Sequence, residues 1–93
     1  MDYRFFPVPD GRITDAERWH KIARDEAAVI RAGGAVLNHC RAGRNRSALL
    51  SALTYRELTG CTGRDARIHL QRVRPNALAN QYFCQYLDAL GEP

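Results

Sequence analysis

A chain of 93 residues, 45% hydrophobic and 26% charged, has the length and balance of one small globular domain. No apolar run approaches the roughly 20 residues that span a bilayer, and no charged-then-apolar leader opens the chain. The net charge of +4 favours anionic partners, but no basic run interleaves with aromatics, so nucleic acid is not an expected partner.

In chain order, Tyr3 to Val8 reads as a short aromatic strand. Pro7 and Pro9 force an extended path there, and Asp10-Gly11 turns the chain. Thr14 with Glu17 makes a capping-box pattern. A helix follows to about Ala32, with Trp19, Ile22, Ala23, Val29 and Ile30 on one face, and Gly33-Gly34 stops it. Ala35 to Asn38 reads as a second, buried strand. After a loop, Ala48 begins an amphipathic helix that ends near Thr59, before Gly60. Thr62 with Asp65 caps a further helix carrying Ala66, Leu70 and Val73, which Pro75 ends. The last helix spans about Ala79 to Leu90, with Phe83, Leu87 and Leu90 inward. Two strands joined by a helix make a βαβ unit, expected parallel and right-handed. The expected fold class is therefore α/β, a short parallel sheet flanked by helices within a single domain over 1–93. A two-stranded sheet is poor by itself, and its open edges invite a second copy or a further N-terminal segment.

The most informative segment is His39 to Ser47, HCRAGRNRS. Cys40 lies six positions before Arg46, with His39 before the Cys and Ser47 after the Arg. A strand precedes this loop and a helix follows it. In that context successive backbone N–H groups converge on one concavity, and the helix N-terminus adds positive potential, so the loop reads as an anion cradle. It is the Cys-x5-Arg phosphate-binding pattern of cysteine-dependent phosphatases.

Taken with its surroundings, the chain resembles the C-terminal part of a dual-specificity phosphatase of the protein tyrosine phosphatase superfamily. Phe6 to Gly11, FPVPDG, resembles the general-acid loop of that family. Arg74-Pro75 followed by Asn80 and Phe83 resembles its closing R-P…N-x-x-F pattern, although Tyr86-Leu87 stands where the family has Gln-Leu, and Tyr86 is given no catalytic role. The family carries several strands and a helix before the acid loop, so the resemblance implies a minimal or truncated domain.

The resemblance implies phosphomonoester hydrolysis through a phosphocysteine, acting on phosphoproteins. Cys40 is the expected nucleophile. Its thiol, ordinarily near pKa 8.5, becomes a thiolate under the helix dipole, the loop amides and Arg46. His39, by resemblance, orders the loop and helps lower that pKa. Arg46 offers a planar fork for two phosphate oxygens. Ser47 supports the thiolate as it leaves the intermediate. Asp10 is the expected general acid, with Asp15 as its rival, though helix capping explains Asp15 as well. The backbone of Arg41, Ala42, Gly43, Arg44 and Asn45 would bind the phosphate, with Gly43 permitting the turn. No metal or cofactor is expected, because Arg and amides neutralise the phosphate.

Other readings stand beside this one. Arg41 and Arg44 resemble basic residues of the family's phosphoinositide phosphatases, and Asn45 resembles its RNA 5′-triphosphatases. The chain could also be a phosphate-binding module without turnover. Sulfurtransferases and arsenate reductases use Cys-centred anion loops too, but the Arg-Ser pair and the acid loop argue against both. Three cysteines, an odd number without metal-type spacing, fit a reducing compartment, and the expected location is cytoplasmic. Cys61 and Cys84 read as small, partly buried residues, either of which could instead pair reversibly with oxidised Cys40. His20 and His69 read as helix-surface residues, and Trp19 as core.

Overall fold

The computed structural model describes residues 3–7, 16–39, 44–75, 77–78 and 80–93. Among them the chain runs β1 (Tyr3–Pro7), α1 (Ala16–Arg31), β2 (Ala35–His39), α2 (Arg44–Thr59), α3 (Gly63–Val73) and α4 (Gln81–Ala89).

Local chemistry explains where these elements stop and start. Gly33, at φ +88°, ends α1. Its N–H reaches Ile30 O at 3.0 Å and that of Gly34 reaches Val29 O at 2.9 Å, the paired bonds of a Schellman cap. Thr62 caps α3 as read from the sequence, its hydroxyl oxygen accepting from Asp65 N at 3.1 Å. Asn80 caps α4, its Oδ1 accepting from Tyr82 N and Phe83 N. The last helix therefore begins at Gln81, not Ala79.

β1 and β2 pair in parallel from Tyr3↔Ala35 to Pro7↔His39. The larger expectation, an α/β fold built on a parallel sheet and matching the C-terminal portion of a tyrosine-phosphatase-like fold, is overturned: the chain is a small, predominantly helical globule. The reason is one of size. Strands of five residues cannot form a layer for helices of 16, 16, 11 and 9 residues to pack on, so the helices bury their apolar stripes against one another.

The described core draws on every helix. Trp19 and Ala23 of α1 meet Leu49, Leu50, Ala52 and Leu53 of α2, Ala66 of α3, and Phe83 and Leu87 of α4, with Ala77 and Leu78 from the turn between α3 and α4. Trp19 is in the core as expected. Ile30, placed on the inward stripe of α1 by its spacing, is exposed instead, as is Val73 at the end of α3; both sit in a last helical turn.

Three polar residues, Glu26, Thr54 and Arg56, are buried with this core. Glu26 accepts a 2.7 Å hydrogen bond from the Thr54 hydroxyl, joining α1 to α2. Arg56 donates through Nε to Gly91 O at 2.7 Å, tying the C-terminal residues back to α2. Arg31 also donates to Glu57 O. The sequence offsets of the two α1–α2 contacts, 28 and 26 residues, are nearly constant, so α1 and α2 run parallel. Both helices therefore start at one end of the molecule, the end at which β2 delivers the chain to α2.

Candidate phosphate-binding site

The Cys-x5-Arg segment lies between two described elements. His39 is the last residue of β2 and Arg44 the first of α2. Cys40, Arg41, Ala42 and Gly43 fall outside the described residues, as do Asp10 and its rival Asp15. Thr14, half of the expected capping box, is outside them too.

The helix after the loop starts four residues earlier than its apolar pattern suggests. Arg44, Asn45, Arg46 and Ser47 form the first turn of α2 instead of belonging to the loop. Nothing in Arg-Asn-Arg-Ser breaks a helix, and Arg is a good helix former. Arg46 and Ser47 are half-buried, and the next three residues, Ala48, Leu49 and Leu50, are buried. This packing fixes the helix from its second turn onward. Helical side chains tilt toward the N-terminus of their helix, and Arg46 and Ser47 stand in the first turn of α2.

The charge pattern of this turn is unlike that of α1 or α3. Those helices carry Glu17 and Asp65 in their first turns, the usual acidic complement to the positive end of the helix dipole. The first turn of α2 has no acid and two arginines. The arginines add positive charge at the positive end of the helix dipole.

At the other strand, Pro7 lies beside His39 in the parallel register. The chain therefore leaves β1 and β2 at the same end of the pair. Asp10 follows Pro7 by three residues and Cys40 follows His39 by one.

The remaining residues singled out in the sequence take structural places. His20 is half-buried rather than on the surface, and its Nε2 lies 2.6 Å from the Tyr86 hydroxyl. Burial first, then the Arg56 guanidinium, holds the His20 imidazole below its ordinary value of 6.5. Burial also pushes the Tyr86 phenol up from 10.0. Tyr86, refused a catalytic role on the sequence pattern, thus serves as a link from α4 to α1. His69 is exposed and stacks on Tyr55 with ring centroids 4.1 Å apart. Cys61 and Cys84 are both free thiols and half-buried. The Cys84 Sγ donates to Leu78 O at 3.1 Å.

Sequence reading missed the buried Glu26. The signal was present, since Glu26 follows Trp19 by seven residues and Ala23 by three, and so shares their inward stripe. Compared with protein-family models, with curated proteins and with solved structures, the chain matches none. No helix among the described residues is long and apolar enough to cross a membrane.

Proposed function

We propose that the chain is a cysteine-dependent phosphatase that hydrolyses phosphomonoesters through a phosphocysteine, with phosphoproteins as its substrate class. The observation that carries this reading is the placement of HCRAGRNRS across the end of β2 and an acid-free helix start that bears Arg46 and Ser47. The Cys40 thiolate attacks phosphorus in line with the ester oxygen. The S–P bond forms as the P–O bond breaks, and Asp10 gives its proton to the leaving oxygen. Water, deprotonated by the same carboxylate, then attacks the phosphocysteine. Phosphate is released and Cys40 leaves as thiolate, supported by the Ser47 hydroxyl and with its pKa held down by His39. Arg46 and the amides of residues 41–45 bind the equatorial oxygens, where charge builds in the transition state. The common exit of β1 and β2 supports the pairing of Asp10 with Cys40.

A second reading, a phosphate-binding module without turnover, is favoured by the sheet, which has two strands among the described residues. Activity against p-nitrophenyl phosphate separates the two. Cys40→Ser should abolish turnover and keep phosphate binding, and Arg46→Lys should be severely impaired, because a point charge does not replace the guanidinium fork. An unmodified chain that binds phosphate without turnover would establish the module instead. For the acid, Asp10→Asn should slow an alkyl phosphate by about 10²–10⁴-fold and the aryl phosphate much less, since nitrophenolate needs little help to leave. Equal slowing of both, or the same discrimination from Asp15→Asn, removes Asp10 from the role.

A further inference from the structure

The outward side of α3 has a composition that neither the core nor the Cys40 loop explains. The inward side is fixed by Ala66 and Gly63, both buried, and by a 2.6 Å ion pair from Arg67 Nε to Asp88 Oδ1 of α4. On the side facing solvent, Arg64, Ile68 and Arg72 recur at four-residue spacing and so stack along one stripe. All three are exposed, with Ile68 at 37%. Val73 follows at the end of the helix, 62% exposed, and Arg74 after it is also exposed. The single acid in α3 is Asp65, in its first turn.

Cations flank an aliphatic side chain along a helix that is held rigidly from behind. The two parts of this face want different environments, and one surface supplies both. Guanidinium groups bind lipid phosphates while their stems lie along apolar surface, and aliphatic side chains gain by entering the headgroup–acyl boundary. A nucleic-acid backbone would satisfy the cations and leave Ile68 and Val73 in water, and the one exposed ring on α3, that of His69, is already stacked on Tyr55.

We propose that the outward face of α3, through Arg64, Ile68, Arg72 and Val73, docks the protein on an anionic lipid surface. The helix lies flat against the headgroups and does not enter the bilayer core. This face is independent of the phosphatase reading, and its test needs no turnover.

The test is co-sedimentation of the full chain with vesicles of phosphatidylcholine alone and of phosphatidylcholine mixed with phosphatidylserine, with far-UV circular dichroism to confirm that each variant is folded. The unmodified protein should pellet with the mixed vesicles only, and less as salt rises. Replacing both Arg64 and Arg72 with Gln should lower partitioning about 25-fold, from roughly fivefold per cation at an anionic surface. Ile68→Ser should lower it roughly fivefold with every cation in place. Three results would overturn the proposal: equal pelleting with both vesicle types, no effect of Ile68→Ser, or tighter binding to a duplex oligonucleotide than to mixed vesicles at the same salt. Arg64→Gln and Arg72→Gln made singly, each expected to lower partitioning roughly fivefold, keep the test decisive if the double variant misfolds.

Discussion

His20 shows how a residue's neighbours decide its chemistry. It lies on α1 against Tyr86 of α4, with the Arg56 and Arg24 guanidinium groups lowering its proton affinity and the Glu57 and Glu17 carboxylates opposing them. Burial and Arg56 prevail, so its folded pKa falls below 6.5. As pH drops through 6.5, the unfolded chain takes up the proton first. The contribution of His20 to stability is therefore complete above that pH and is lost as pH falls through the folded value. Urea midpoints of the unmodified protein should drop between pH 7.5 and pH 5.0, and those of His20→Gln should drop less over the same change. Identical drops would show that His20 does not carry this dependence. At Cys40 and Arg46 the pattern names the residue types, and Arg46 gains a definite place in the first turn of α2.

At the scale of elements, the close approach of α3 and α4 rests on a missing side chain. Gly63 opens α3, and its N–H donates to Leu90 O at 3.1 Å. A Cβ at this position would overlap the Leu87 carbonyl oxygen and lie 2.8 Å from Leu90 Cβ. These are backbone and near-backbone atoms that cannot step aside, so Gly63→Ala must push the two helices apart. It should destabilise the protein by about 1–3 kcal/mol, the range for overpacked sites, measured by urea unfolding. Gly60 provides a comparison. It has open space around its Cβ position but a φ of +75°, so Gly60→Ala should cost only the strain of a left-handed residue, about 1 kcal/mol. If the two variants lose the same stability, the packing argument for Gly63 fails. Gly60 is legible from the sequence as a helix stop, and α2 does end at Thr59 just before it. It had no means of singling out Gly63, because the atoms that require a glycine there belong to a helix more than 20 residues away.

For the whole molecule, the contrast between a helical core and a two-stranded sheet has a consequence. Among the described residues each strand pairs with one other, which leaves one edge of each without a strand partner. Open edges are templates for another chain. We expect the protein to self-associate through them, with sedimentation velocity showing a mean mass that rises with concentration. A single monomeric boundary at every concentration would rule this out.

What the sequence by itself determined is mainly local. Gly33-Gly34, Thr62 with Asp65, Pro75 and the apolar spacing within each helix act over a few residues, so most of the elements and the core positions Trp19, Leu87 and Phe83 were legible. So was the Cys40–Arg46 pattern, since six positions of chain suffice to state it. The tertiary structure decided what depends on residues far apart in sequence. It placed Glu26 in the core against Thr54, drew His20 off the surface to Tyr86, and left Ile30 exposed despite its spacing. It also replaced a sheet-centred α/β fold with a helical globule. Periodicity reports which face of an element is apolar, but not what that face packs against. Here the long helices had more surface to bury than two five-residue strands could cover, and they covered one another.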